Sequence, residues 1–406
     1  MRRTIEKGHT LLVDGPACVN LLSGEVEVLG APLETGIKTV IREGKRVALE
    51  AKQKTHFDLT LGENASVEEA EGSTIPTSWE NACNTALAFD EKPVVVLVMG
   101  EVDSGKTSFC TYLANWALKA KRRVAIVDAD LGQSDIGPPA TIGFSRITSP
   151  TRDLFLLKAD EVCFIGTTTP SGALSKVIDE LARVKDEGLK KAVDFLVINT
   201  DGWVVGDGAV EYKLRLVGRV APNVVVGIQR QNELTPILAG LEGIRVMSID
   251  SPSAIKKRDR EQRKILRELS YKKYLKGAKL QSFPSRLVRI EGFPFGANDA
   301  SVEKRFARDQ LINTEHVSNL DGELSERVKL MREGDERGLL VGLCDEEERF
   351  LGIGILRKID SERRAIQVYT PVTAGIASIH VGRVRLDKHG RETGMSSILG
   401  NDHANT

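Results

Sequence analysis

Eight consecutive residues, Gly100, Glu101, Val102, Asp103, Ser104, Gly105, Lys106 and Thr107, fill the pattern G-x-x-x-x-G-K-[ST]. Glycines at its two ends let backbone N–H groups curl around phosphate oxygens, where a Cβ would obstruct them. Lys106 is spaced to reach β- and γ-phosphates, and the Thr107 hydroxyl to ligate Mg²⁺ or another divalent cation. The elements required on either side are present. PVVVLVM (93–99) is an apolar run of strand length, and SFCTYLANWALKA (108–120) reads as a helix whose positive end faces the anion. A strand, a phosphate-cradling turn and a helix in that order define a nucleotide-binding P-loop.

A second set of oxygen donors follows. The stretch VDADLGQSD holds Asp128, Asp130, Gln133 and Asp135, with Asp130 lying 24 residues after Lys106. A P-loop enzyme needs a carboxylate at a neighbouring strand end to hold a cation or its waters. If a hydroxyl is the attacker, a carboxylate must also take its proton. GTTTPSG (166–172) then places Thr167, Thr168 and Thr169 at a strand end, and NTDGW (199–203) places Trp203 just past another. A tryptophan at the mouth of a phosphate site could stack a base. Finally, Ile255–Lys276 carries ten Lys and Arg residues, Arg258 and Arg263 among them, against Asp259, Glu261 and Glu268. Such a run after the last strand of a P-loop domain suits a lid that brings guanidinium charge to a transferring phosphoryl group.

The whole chain supports this organisation. At 406 residues it is too long for one ordinary core. Its 41% hydrophobic and 28% charged residues suit a soluble globular protein, and no run approaches a membrane span. A formal net charge of zero excludes a global field that attracts nucleic acid, so such a site must be a local patch. Five scattered cysteines, none in C-x-x-C spacing, argue against a disulfide framework or a zinc site of that type. They point to a reducing compartment. The opening residues lack an apolar signal-peptide core, so a cytoplasmic location is expected.

The expected fold class is α/β: a P-loop NTPase domain with a mostly parallel sheet, flanked by an N-terminal β domain and a C-terminal β-rich domain. Residues 1–85 alternate short apolar runs with glycine turns, as in a β-sandwich, with 68–84 read as strand ends and a linker. Residues 86–281 alternate strands and helices, with the lid at 255–276. Within them, glycine-rich loops are expected after Asp128 until a strand at 162–166, and a helix from Ala173 that stops at Gly188. Residues 282–406 return to strands after a helical stretch at 301–311, with a polar, frayed end from Gly394.

GEVDSGKT, VDADLGQ, the Thr-Thr-Pro loop, TDGW and the arginine-bearing lid together resemble the polynucleotide 5′-hydroxyl kinases. That family includes the RNA kinase of pre-mRNA cleavage and tRNA splicing, and the chain is most similar to its stand-alone archaeal members. The resemblance is strong over the central domain and weaker before it, where LLSGEVEVLG fits; the C-terminal domain matches in order and approximate size. It implies ATP and Mg²⁺ as cofactors and RNA 5′-hydroxyl ends as substrate, with DNA ends as the variant, and names no protein partner. It implies that Lys106 and Thr107 hold ATP phosphates and the cation, and that Asp130 contacts the 5′-hydroxyl as base and metal ligand. Gln133, Thr168 and Thr169 would hold the first nucleotide's phosphate, Trp203 would stack its base, and Arg258 and Arg263 would form the lid.

Three other readings are weaker. Partner-switching ATPases carry an extra lysine early in the loop, where this chain has Glu101 and Val102. A GTPase would want N-K-x-D, and Asn199-Thr200-Asp201-Gly202 lacks the lysine. A catalytically weak scaffold subunit of an RNA-processing complex is disfavoured by the intact Lys106, Thr107, Asp130 and lid arginines.

Overall fold

The computed structural model describes residues 1–292, 336–360 and 362–396. The expected helical stretch at 301–311 lies outside them.

The N-terminal strands form two antiparallel sheets. One has the order Arg2–Ile5, Thr55–Leu61, Ala17–Ser23, Lys38–Ile41; the other has Ala31–Pro32, Val26–Val28, Arg46–Ala51, His9–Asp14, Val67–Glu71. Thr55–Leu61 shows why they pack face to face. Thr55, Phe57 and Leu59 are buried, while His56, Asp58 and Thr60 between them are exposed, the period-two pattern of a half-covered strand. The inward set meets Val13, Val19, Leu21 and Leu49 in one core.

The central sheet has seven strands in the order Glu161–Phe164, Thr141–Ile147, Val124–Ala129, Phe195–Thr200, Val94–Gly100, Val224–Gln229, Arg245–Asp250. The last five are parallel and the first two antiparallel. Val94–Gly100 is buried throughout because helices cover both faces. Its even-numbered valines, Val94, Val96 and Val98, pack with the helices Thr77–Leu87 and Lys106–Lys119. Val95, Leu97 and Met99 pack with Leu174–Lys190 and Asp207–Val220.

Several boundaries differ from expectation. Thr77–Leu87 begins inside the expected linker, with Pro76 as its N-cap residue. Trp79, Ala82, Cys83 and Ala86, at helical spacing, bury its inner face. Thr141–Ile147 is a strand where glycine-rich loops were expected; its run TIGFSRI is antiparallel to Val124–Ala129. The helix expected to stop at Gly188 continues to Lys190, because Gly188 packs its bare Cα against the Phe144 ring.

The C-terminal sheet runs Lys279–Pro284, Ala365–Thr370, Phe350–Asp360, Leu339–Cys344, Ser378–Leu386, Arg289–Glu291, with Glu392–Met395 also paired to Ser378–Leu386. Gly394 and Met395, expected to fray, are thus held in a strand, where Arg385 pairs with Gly394 and Val384 with Met395. Lys279–Pro284 straddles the expected boundary at 281/282 and joins this sheet. Gly382 packs on Gly166 so closely that a Cβ on either would clash, and the Arg383 amide donates to the Gly166 carbonyl at 2.7 Å.

Candidate active site

The P-loop turn follows directly from its glycines. Gly105 sits at φ 103°, the left-handed region, as N-cap of Lys106–Lys119. A Cβ at Gly100 would meet the Ile228 carbonyl oxygen at 2.5 Å. Inside the turn, Lys106 Nζ donates to the Glu101 carbonyl at 2.7 Å. Ser104 Oγ is buried with no hydrogen-bond partner among the described residues. A glycine-bounded turn at a helix N-terminus suits an anion such as a nucleotide phosphate.

The other sequence segments converge on this turn. Asn199 Nδ2 donates to Asp128 Oδ1 at 2.9 Å and approaches Thr107 Oγ1 at 3.4 Å, so two parallel strands and the start of the P-loop helix meet at one point. Gly202 lies against Val102 with no room for a Cβ, which brings the Trp203 loop beside the P-loop. Gly132 lies against the Thr168 carbonyl, joining the Asp130 loop to the threonine loop. Gln133 Nε2 donates to the Arg263 carbonyl at 3.2 Å, joining the Asp130 loop to the lid. Arg258 Nη1 donates to Asp103 Oδ1 at 2.9 Å, and Arg263 Nη1 stands 3.8 Å from Asp103 Oδ2. The P-loop, the Asp130 loop and the lid segment line one cleft of ≈ 240 Å³, with Lys106, Thr107, Asp130, Gln133 and Arg258 on its wall, whereas Thr168, Thr169, Trp203 and Arg263 are not among its lining residues.

Asp128 and Asp130 differ in role, and only Asp130 lines the cleft. Asp128 is fully buried and accepts from the amides of Asp135 and Ile136, as well as from Asn199. Burial, then repulsion from Asp135 and Asp130, pushes its carboxyl up to about 7. It is committed to holding the loop. Asp130 Oδ1 accepts from the amides of Gly132 and Gln133 at 3.2 and 3.0 Å, and Oδ2 has no hydrogen-bond partner among the described residues. Burial raises the Asp130 carboxyl above its ordinary value, while the nearby Lys106 charge opposes the rise. Burial also lowers the Lys106 ammonium. A free carboxylate oxygen and the Thr107 hydroxyl form an all-oxygen donor set, which fits a hard divalent cation.

Trp203 is half-buried, its ring stacked on Tyr212 with centroids 5.7 Å apart and planes at 22°. Its loop is fixed by Asp201, which accepts from the Trp203 amide, the Tyr212 hydroxyl and the fully buried Lys213 ammonium.

The lid is docked on both flanking domains. Arg260–Tyr274 starts at Asp259, whose side chain and that of Gln262 make a reciprocal capping box. Leu266 packs on Gly44 of the N-terminal domain, and Arg258 Nε donates to the Gly44 carbonyl. Arg267 makes a two-point pair with Glu392 of the C-terminal sheet at 2.6 and 2.7 Å.

Sequence reasoning missed Asn199, Lys213, Arg42 and Lys45. Arg42 and Lys45 of the N-terminal domain line the cleft and pair with Asp135 and Asp153. Lys213 did leave a signal: it stands on the apolar face of its helix, four residues from Ala209 and from Val217.

The sheet order and the cleft define a P-loop nucleotide-binding protein of the phosphoryl-transfer kind, with its ligand at the carboxyl ends of parallel strands. Residues 100–277 match the family model described as mRNA cleavage and polyadenylation factor CLP1 P-loop. The chain is 33% identical over 324 residues to a polyribonucleotide 5′-hydroxyl-kinase of Pyrococcus abyssi, covering 75% of this chain and 91% of that relative. It is 30% identical over 328 residues to that of Methanocaldococcus jannaschii, covering 75% and 90%. The chain belongs to the polyribonucleotide 5′-hydroxyl-kinase family. Its fold is shared with Clp1p in the solved Clp1p–Pcf11p complex, with a TM-score of 0.69 at 14% identity over 95% of this chain and 97% of that one.

Proposed function

We propose that this protein transfers the γ-phosphate of ATP to the 5′-hydroxyl end of RNA. The observation that carries this reading is that Lys106 and Asp130 line one cleft, with Arg258 on its wall and Arg263 beside it at Asp103. Asp130 Oδ2 takes the proton of the 5′-hydroxyl as its oxygen bonds to the γ-phosphorus. The bond from that phosphorus to the β,γ-bridging oxygen breaks, and ADP leaves. Lys106 and the turn's N–H groups bind the β- and γ-oxygens, while Arg258 and Arg263 balance charge that shifts in a loose transition state. A Mg²⁺ ion held by Thr107 and Asp130 would neutralise charge on the phosphate oxygens.

Gln133 on the cleft wall, with Thr168 and Thr169 from the loop beside Gly132, would hold the terminal nucleotide's phosphate, and Trp203 would offer its base a stacking surface. All five cysteines are free, which suits the reducing compartment expected for a cytoplasmic protein. The test is phosphate transfer from γ-labelled ATP to 5′-hydroxyl RNA and DNA oligonucleotides, in parallel with Lys106→Ala. Transfer by the wild type, lost in a variant whose melting curve is unchanged, supports the reading. A wild type that binds RNA without transfer would make it a scaffold, and near-normal turnover in Lys106→Ala would misplace the phosphate site.

A further inference from the structure

On the C-terminal sheet, outside the cleft, a thiol, an imidazole and a carboxylate come from three separate segments of chain. Cys344 ends the strand Leu339–Cys344 and is 5% exposed. Its register partner on Ser378–Leu386 is Ser378, and His380 follows two residues later on the same face. Glu348 comes from the turn between Leu339–Cys344 and Phe350–Asp360. One ligand atom from each of Cys344, Glu348 and His380 lies within 4.8 Å of the others.

The imidazole is oriented as a ligand would be. Its Nε2 faces the cluster, 2.9 Å from Glu348 Oε2, while Nδ1 faces Glu291 Oε2 at 3.4 Å on the opposite side. A metal-ligating histidine usually gives its second N–H to a carboxylate, which fixes the tautomer and raises the basicity of the ligating nitrogen. Glu348 is held in the same manner. Arg289 pairs with its Oε1, and the fully buried Ser378 hydroxyl donates to Oε2 at 3.0 Å, so Oε2 stays turned towards His380. Ser378 is too deeply buried to act as a nucleophile, and its proton is already given to Glu348.

We propose that Cys344, His380 and Glu348 bind one zinc-class divalent cation, with water as a fourth ligand. Sulfur, nitrogen and oxygen ligands suit Zn²⁺, whereas a thiolate does not suit Mg²⁺. The site is therefore distinct from any cation at the P-loop. Tetrahedral zinc at ordinary bond lengths sets its ligand atoms roughly 3.4–3.7 Å apart, so Nε2 and Oε2, now 2.9 Å apart, must open slightly, and no pair in the cluster exceeds 4.8 Å. On binding, the thiol loses its proton to solvent, and the imidazole N–H moves through solvent from Nε2 to Nδ1, where it donates to Glu291 and leaves the Nε2 lone pair for the metal. The bound ion would clamp the Asp345–Arg349 turn to the strand Ser378–Leu386.

The experiment uses the full chain, stripped with a chelator and held in excess Mg²⁺ to fill oxygen-only sites, then titrated with Co²⁺. A cobalt–thiolate charge-transfer band should saturate at one equivalent and bleach on adding Zn²⁺. It should vanish in Cys344→Ser and persist in Cys163→Ser, whose thiol also lies beside a carboxylate, 3.1 Å from Glu180. Glu291→Gln should weaken Co²⁺ affinity ~10–100-fold through the imidazole. Absence of the band in the wild type, or its survival in Cys344→Ser, overturns the proposal. Should Cys344→Ser fail to fold, the half-exposed Glu348 decides the matter, and unchanged affinity in Glu348→Gln overturns it equally.

Discussion

Asp103 grips Arg258 at two points, its Oδ1 accepting from Nη1 at 2.9 Å and its Oδ2 from the backbone amide at 2.8 Å. A carboxylate inside the phosphate-binding turn thus holds the lid arginine that phosphate would otherwise attract. Nucleotide must compete with this internal anion, and the competition couples binding to rearrangement of residues 255–259. Charge-assisted hydrogen bonds contribute roughly 1.5–3 kcal/mol each. Asp103→Asn should therefore speed exchange of the Arg258 amide about tenfold or more in nucleotide-free protein, read by hydrogen–deuterium exchange. Unchanged exchange would mean that the capping box and Gly44 hold the segment without help from Asp103.

The Trp203 ring has one face on Tyr212 and is only half-buried, so a base could stack on its outer face. Trp203→Ala should weaken binding of a 5′-hydroxyl oligonucleotide by ~1–3 kcal/mol with little sequence preference. Trp203→Phe should recover part of that loss. Equal affinity in all three proteins would make Trp203 a packing residue for Tyr212.

Beneath that ring, Lys213 and Asp201 form a buried ion pair at 3.0 Å. Removing one partner strands the other charge away from water, which costs about 3–5 kcal/mol. Lys213→Ala should lower the melting temperature by several degrees, and the double variant with Asp201→Asn should recover much of the loss. A single variant as stable as the wild type would contradict the buried pairing.

Which parts of this site were legible beforehand follows from where each interaction lies in sequence. The P-loop, the Asp130 loop and TDGW are local patterns whose chemistry is fixed by residue types a few positions apart. The contacts that assemble them, Asn199 with Thr107 and Gly202 with Val102, join residues 92 and 100 positions apart, and no local spacing encodes them. The lid shows the same divide. Its cationic run was plain, yet its docking rests on Gly44 and Glu392, from opposite ends of the chain. Thr141–Ile147 escaped notice because TIGFSRI lies close to the glycines of the preceding loop, and its burial comes from neighbouring strands rather than from alternation.

The junction between the N-terminal domain and the segment leading to the lid should respond to acid. Arg46, bonded to Asp14 through Nε and Nη2 at 2.9 Å each, holds the Asp14 carboxyl down at about 2, against burial and with help from Ser66. Arg46 also donates to the Ala254 carbonyl, and Lys256 lies 3.5 Å from Asp14. A carboxyl held below its ordinary 3.8 stabilises the fold fully above that pH and loses the contribution as pH falls towards 2. Melting temperatures of wild type and Asp14→Asn should therefore differ most above pH 4 and converge towards pH 2. A gap that stays constant across this window would show that the ion pair contributes nothing.

Arg258 and Arg263 are five residues apart, some 140° around a continuous helix of 3.6 residues per turn. The helix begins only at Arg260, however, and the Asp259 cap turns the preceding chain back towards the P-loop. Arg263 Nη1 donates to the Arg258 carbonyl at 2.6 Å, so each arginine helps to hold the other beside Asp103. If that guanidinium charge serves the proposed transfer, it acts chiefly on the transition state, where arginine fingers are worth ~10³–10⁵ in rate. Arg263→Ala should lower kcat by orders of magnitude while changing ATP affinity far less. Lys272→Ala, an exposed position further along the same helix, should do little to either. Parallel turnover and nucleotide-binding measurements on the two variants separate the roles, and equally small effects would reduce the basic run to a solvated helix face.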